Sequence, residues 1–154
     1  MIKITQGDIL SANTDAIVNT VNCVGVMGKG LALQFKKTYP DNYRVYKLAC
    51  DHNEIRTGKM FLFMTKSQSN PKYIINFPTK QHWKDPSEIE FIDTGLEDLV
   101  RVIPYLSIKS IAIPPLGCGL GGLEWSIVLP KIKKAMMNLN NVDILIYEPG
   151  VQGI

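Results

Sequence analysis

The sequence predicts an α/β domain in which a mixed, mostly parallel sheet is sandwiched between helices. Three observations predict it. Short apolar runs rich in Ile and Val alternate along the chain with longer segments of helical periodicity. One of these runs, Ile111-Ala112-Ile113, leads into a glycine cluster that opens onto a helical pattern, the order of a βα unit. With 154 residues, 45% of them hydrophobic and 20% charged, the chain has room for one domain with a real core.

Residues 2–6 alternate like a strand, which Gly7-Asp8 ends. Residues 16–21, Ala-Ile-Val-Asn-Thr-Val, form a second strand. A loop over 22–30 carries glycines at 25, 28 and 30. A helix over 31–39 follows, with Leu31 and Phe35 one turn apart. Pro40 breaks it, and a second helix covers 41–50. Residues 60–64 read as a buried strand, 66–71 as a polar turn, and 73–77 as a strand halted by Pro78. Ser87-Glu88-Ile89-Glu90 has the form of a capping box, so Ser87 is expected to open a long helix. Ile89, Ile92, Leu96, Leu99 and Ile103 continue it at helical spacing. After the strand at 110–113, Trp125, Val128, Ile132, Ala135, Met136 and Leu139 share one helical face. Pro130 is expected in or near the first turn of that helix, where its missing N–H is tolerated. Residues 142–147 are the last strand.

Composition narrows the function classes. A net charge of +3 permits contact with nucleic acid without demanding it. No apolar run approaches the ~20 residues of a membrane span, and the first residues read as a strand, so a cytoplasmic protein with no membrane contact is expected. Three cysteines give no disulfide framework, and no Cys/His spacing suits a metal. Cys118 lies within the glycine cluster, where a reactive thiol is one option and an inert reduced thiol the other.

In a sheet of this kind ligands bind outside the carboxyl ends of the strands. The loops at Asp8-Ile9, 22–30, 78–83 and 117–122 follow strands, and Tyr147 ends another, so these are expected to converge on one crevice. Gly117, Gly119 and Gly122 match G-x-G-x-x-G. Glycine tolerates positive φ and lets backbone N–H groups close on a phosphate, and the helix that follows adds its own free N–H groups. The alternative is a tight turn without ligand, but four glycines within 117–122 exceed what one turn needs, and a diphosphate is the guest that fits. A dinucleotide-binding protein is a further reading, weakened because too few βα units follow the motif. Gly25-Val26-Met27-Gly28-Lys29-Gly30 is a second glycine loop running into a helix; Leu31 stands where a Walker A motif needs Lys-Ser or Lys-Thr. Asp8 fits two roles, acceptor for an adenine amino group or helix N-cap. Asn22 suits sugar hydroxyls or a turn. Lys80, at the end of a strand, is the nucleophile candidate: a partly desolvated lysine near Lys29 would have a lowered pKa. His82 and Glu124 read as surface or capping residues, with proton transfer as the other option.

Together, Gly7-Asp8-Ile9, Asn19-Thr20-Val21-Asn22, Gly28-Lys29-Gly30-Leu31-Ala32 and the 117–125 run resemble a macrodomain over essentially the whole chain. Val21-Asn22-Cys23-Val24-Gly25-Val26-Met27-Gly28-Lys29-Gly30 and Asn76-Phe77-Pro78-Thr79-Lys80 look most like the DarG antitoxin branch, related to the animal terminal ADP-ribose glycohydrolase. The resemblance implies one macrodomain over 1–154, the N-terminal piece of a longer antitoxin where a C-terminal region follows. It implies ADP-ribose as ligand and product, no cofactor and no metal. Asp8 and Ile9 would hold the adenine, with Tyr147 on its other side. Gly117, Cys118, Gly119, Leu120 and Gly121 would hold the diphosphate. Asn22, Gly28, Lys29, Gly30 and Leu31 would surround the distal ribose, with Thr20 and Thr79 in the same binding set. Lys80 matches the family's catalytic lysine. The implied activity is removal of ADP-ribose from thymidine in single-stranded DNA, opposing a DarT-type toxin; a binding module without catalysis is the alternative. One departure stands out: where the animal enzyme has an aspartate in the diphosphate loop, this chain has Gly121.

Overall fold

The computed structural model describes residues 1–150; the end of the expected 1–154 domain lies outside the described residues. The strands are β1 (Ile2–Thr5), β2 (Ala16–Val21), β3 (Phe61–Met64), β4 (Tyr73–Pro78), β5 (Ser110–Ile113) and β6 (Asp143–Tyr147). The helices are α1 (Gly30–Thr38), α2 (Pro40–Asp51), α3 (Ile89–Tyr105) and α4 (Trp125–Met136). The strands form one sheet in the order β1-β6-β5-β2-β4-β3. Only β3 runs antiparallel to its neighbour; the other pairs are parallel. The expected mixed, mostly parallel sheet is therefore the observed one.

Period-two alternation decides which helices cover which face. Ala16 and Val18 of β2, Ile111 and Ile113 of β5, and Ile144 and Ile146 of β6 pack with Ile92, Leu99, Val128 and Ile132 of α3 and α4. The intervening residues Ile17, Ile74 and Ala112 pack on the opposite face with Phe35 of α1 and Ile9. Tyr46 and Ala49 of α2 complete that side with Val21 and Met27. A parallel sheet covered on both faces needs nearly continuous apolar strands. β2 meets that need, with Thr20 its one half-buried residue, and so does β4 after Tyr73.

The same face of β2 and β4 also carries a buried polar cluster. Asn19 and Asn76 sit opposite each other in the register, and Asn42 reaches them from α2; all three are fully buried. Asn76 Nδ2 donates to Asn42 Oδ1 at 2.8 Å, while Asn76 Oδ1 accepts from Asn42 and Asn19 at 3.2 Å each. Burying amides is costly unless they pair, so this cluster fixes where α2 docks.

Three expectations need correction. The capping box does not form: Glu88 is the N-cap of α3 and makes no side-chain cap bond, the Ser87 hydroxyl makes no hydrogen bond among the described residues, and the Ser87 N–H goes to Gly121 O. Pro130 lies in the second turn of α4, past the first turn, and withholds the N–H that a regular helix would give Ser126. That helix ends at Met136, before Leu139. No helix among the described residues is long and apolar enough to cross a membrane.

Gly95 of α3 lies against Phe77: a Cβ there would run into Phe77 Cζ and Cε1. Glycine in a helix interior normally gains about 1 kcal/mol on replacement by alanine. Here the sign should reverse. Gly95→Ala is expected to destabilise the protein by about 1–3 kcal/mol through overpacking, read as a lower urea midpoint at unchanged m; an unchanged or raised midpoint would refute the close approach.

Candidate functional site

The carboxyl ends of the parallel strands share one edge of the sheet, and main-chain hydrogen bonds tie the loops that leave it. Thr79 N donates to Val21 O at 2.9 Å, and Cys23 N donates to Gln81 O at 3.2 Å. Cys23 Sγ lies 3.5 Å from Lys80 O. Further along, Ser87 N donates to Gly121 O at 2.9 Å. The segment 79–87 is thus fastened at one end to the Asn22 loop and at the other to the glycine cluster. The two glycine loops themselves meet, since a Cβ on Gly30 would lie 3.3 Å from Leu120 Cδ1. Convergence of three of the expected loops on one place is a direct consequence.

Asn22 shapes its loop from within. Its Oδ1 accepts from Val24 N at 3.0 Å and Val26 N at 3.3 Å, and its Nδ2 donates to Val26 O at 2.8 Å. The Tyr46 hydroxyl lies 2.7 Å from Asn22 O and 3.0 Å from Asn22 Oδ1. Burial, with Cys50 beside it, pushes the Tyr46 hydroxyl far above its ordinary range, so it remains a donor. Of the two roles expected for this asparagine, the turn role is present: its Oδ1 and one Nδ2–H hold the loop, and the second Nδ2–H takes part in none of these bonds. The chain of support runs from the asparagine cluster through α2 and Tyr46 to the loop. Gly28 and Lys29 are exposed at its end, and Lys29 makes no side-chain cap to α1.

The second glycine loop contains a short 3-10 turn, Gly119–Gly121. Gly117, Gly119 and Gly122 have φ of 72°, 69° and 81°, the left-handed region that makes glycine necessary here. Leu123 N donates back to Gly117 O at 3.0 Å and closes the loop. Gly119 is exposed, and a Cβ on it would meet nothing within 4 Å. Gly121 is its opposite: it is buried, and a Cβ there would strike Ser87 Oγ and lie 3.1 Å from Ser87 Cβ. The place that an acid's side chain would need at position 121 is filled by Ser87. Its hydroxyl is buried and makes no hydrogen bond among the described residues.

A cleft of about 430 Å³ opens on the same edge, lined by Gly7, Asp8, Ile9, Gly30, Leu31, Gln34, Pro114, Pro115, Tyr147, Glu148 and Gly150. Asp8 caps a 3-10 turn, Ile9–Ser11, by accepting from Leu10 N at 3.0 Å, so the capping role is real. Its carboxylate nevertheless remains exposed at the cleft. Burial raises the Tyr147 hydroxyl, with the Asp8 carboxylate adding to it, and both residues line the cleft. Gln34, Pro114, Pro115 and Glu148 were not singled out from sequence. Gln34 lies one turn beyond Gly30 on the same helix face, and the prolines follow β5 directly, so helical spacing and the strand-end rule point to them. A second hollow of about 500 Å³ lies by the edge strand, between Ile2, Ile4, Lys133, Lys134 and Met137. It contains neither glycine loop and none of the expected site residues.

Lys80 is half-buried at the mouth of the stapled segment, with Thr79 buried before it. Its Nζ donates to Trp83 O at 3.4 Å, and it makes none of the ion pairs found among the described residues. His82 Nδ1 accepts from Lys84 N at 3.1 Å, which leaves Nε2 as its proton-bearing nitrogen. Glu124 is exposed at the start of α4. Burial pushes the Cys118 thiol up to about 11, so the reactive-thiol option fails: a nucleophilic cysteine needs its pKa lowered. Among the described residues no three His, Cys, Asp or Glu side chains gather to hold a metal.

Residues 18–132 match the family model described as Macro domain. The chain is 51% identical, over all of its own length, to a DNA ADP-ribosyl glycohydrolase of Mycobacterium tuberculosis, and covers 46% of that protein. The chain spans about half the length of the curated relatives it matches most strongly. The solved macrodomain of M. tuberculosis DarG superposes with a TM-score of 0.96 at 53% identity, over 97% of this chain and 99% of that one. Thermosipho africanus DarTG, solved in complex with ADP-ribose, superposes with a TM-score of 0.91 at 40% identity, over 96% of this chain and 41% of that one.

Installing the acid that the loop lacks should damage the site. Gly121→Asp is expected to cost about 1–3 kcal/mol by crowding Ser87 and to loosen the 79–87 segment. Thermal unfolding reads the first effect, and faster amide exchange at Ser87 the second; a stable variant with unchanged exchange would refute the steric argument.

Proposed function

The chain belongs to the Macro domain family, and on that premise we propose that it hydrolyses the glycosidic bond joining ADP-ribose to thymidine in single-stranded DNA. In this reading it is the antitoxin to a DarT-type toxin and acts in the bacterial cytoplasm, without cofactor or metal. The observation that carries it is Lys80, held half-buried at a strand end by a segment fastened to both glycine loops. The names of its relatives, DNA ADP-ribosyl glycohydrolases among them, support the same reading.

ADP-ribose has three parts and the edge of the sheet offers three places. The adenine fits the cleft, with its amino group toward the exposed Asp8 carboxylate and its ring between Ile9 and Tyr147. The diphosphate fits the turn at Gly117, Cys118, Gly119, Leu120 and Gly121, where positive-φ glycines leave backbone room. The start of α1, Gly30 and Leu31, adds helix N–H groups. The distal ribose then falls between the loop shaped by Asn22, with Gly28 and Lys29, and the strand ends at Thr20 and Thr79. Its anomeric carbon faces Lys80.

The lysine amine attacks that carbon with its lone pair, the bond to the base breaks with its electrons going to the base, and water later frees the sugar from Nζ. No acid at position 121 can protonate the base. Water at this exposed turn supplies the proton that the departing base takes up. The second reading, a module that binds ADP-ribose without cleaving it, is favoured by Gly121 alone. Release of ADP-ribose from an ADP-ribosylated thymidine oligonucleotide separates the two.

Two substitutions test the parts. Gly119→Glu places a charged side chain in open space above the loop. It should fold with a backbone penalty of about 1–3 kcal/mol and abolish the micromolar ADP-ribose binding, about −8 kcal/mol, expected of the wild type in calorimetry. Retained binding in the folded variant would exclude the diphosphate assignment. Lys80→Ala should lose cleavage while keeping ADP-ribose affinity within about tenfold, or 1.4 kcal/mol. Lys80→Arg should also fail, because guanidinium does not deprotonate; wild-type turnover in either variant would rule out lysine catalysis.

A further inference from the structure

Trp83 is 47% exposed, three residues after Lys80, on a turn whose backbone is fixed. Asp85 N donates to His82 O at 3.1 Å, and Lys84 N to His82 Nδ1 at 3.1 Å. The His82 ring lies 5.4 Å from the indole at an angle of 32°, and Lys84 Nζ lies 5.1 Å from the indole centroid. Lys80 Nζ is itself bonded to Trp83 O. A single exposed aromatic is ordinary on a protein surface. This one is not single: Val24 and Val26 are 42% and 37% exposed on the loop that Cys23 ties to Lys80 and Gln81. Exposed apolar side chains thus stand on both segments that meet at Lys80, and Lys84 on the Trp83 ring adds a second cation. Aromatic rings interleaved with lysines are the chemistry of single-stranded nucleic-acid platforms, where bases stack and phosphates meet positive charge.

We propose that Trp83 is the stacking platform for the pyrimidine base on the far side of the bond that is cut, with Lys84 beside the adjoining phosphate. This rests on the reading that Lys80 attacks ADP-ribosylated DNA. The base is joined to the carbon that Lys80 attacks, so it must rest within about a ring's width of Nζ, and the indole is the exposed aromatic surface on that turn. Stacking there orients the leaving base and restricts the substrate to a strand whose bases are unpaired. The ADP-ribose places in the cleft and the glycine loops are separate from it.

The test is binding of a fluorescently labelled single-stranded thymidine oligonucleotide, unmodified, followed by anisotropy at low salt. Wild type should bind the single strand better than the same sequence in a duplex. Trp83→Ala should weaken single-strand binding about tenfold, Trp83→Phe should restore most of it, and Lys84→Gln should flatten its salt dependence. ADP-ribose affinity of Trp83→Ala should stay within about twofold. Equal binding by Trp83→Ala and wild type, no binding by wild type, or equal preference for duplex would each overturn the platform. An equal loss of ADP-ribose affinity would do so too, by showing that Trp83 supports the fold of the site. Cleavage of an ADP-ribosylated oligonucleotide is read separately. If wild type cleaves and Trp83→Ala has the same KM, the platform falls and the glycohydrolase reading stands. If wild type cleaves nothing while oligonucleotide binding depends on Trp83, the platform stands and that reading falls.

Discussion

Three main-chain hydrogen bonds decide the geometry of this site: Thr79 N to Val21 O, Cys23 N to Gln81 O, and Ser87 N to Gly121 O. They arise from the sheet itself. Parallel strands deliver their carboxyl ends to one edge, and the backbone groups left over there must find partners. They find them in one another's loops. Each such bond contributes only about 1 kcal/mol net, so their importance is positional. A reactive amine must be held within a fraction of an ångström of its target, and misplacement by about 1 Å can cost a hundredfold in rate. Fastening the lysine segment at both ends supplies that precision without a side-chain partner that would occupy the amine.

The loops being fastened also need to be stiff, and buried polarity makes one of them so. Asn19, Asn42 and Asn76 lock α2 against β2 and β4. From α2, Tyr46 reaches Asn22, which in turn holds Val24 and Val26. The other loop is stiffened by geometry: its positive-φ glycines and the return bond from Leu123 leave one compact path. Gly121 shows how tightly this is drawn. Any side chain at this position, an acid included, would crowd the hydroxyl of Ser87.

What the sequence by itself determined is everything that rests on local periodicity and local backbone demand. Alternating and 3.6-period apolar residues gave six strands and four helices close to their observed bounds. The glycine clusters and Lys80 at a strand end stood out because positive φ favours glycine, and because ligands of such sheets generally bind outside the strand ends. The family was legible because several short runs matched at once. Only the tertiary structure decided what side chains do when distant segments compete for them. Ser87 has the sequence of a helix cap, but its amide goes to Gly121, dozens of residues away, and α3 starts without it. Asn22 reads as a sugar contact or a turn residue, and its bonds to Val24, Val26 and Tyr46 give it the turn role. Cys118 reads as accessible within a loop, but burial raises its thiol. Trp83 was legible only as the end of a loop, and the turn that carries it leaves it exposed with its carbonyl against Lys80. In each case the residue type fixes which bonds it can make, and the long-range packing of the sheet edge selects among them.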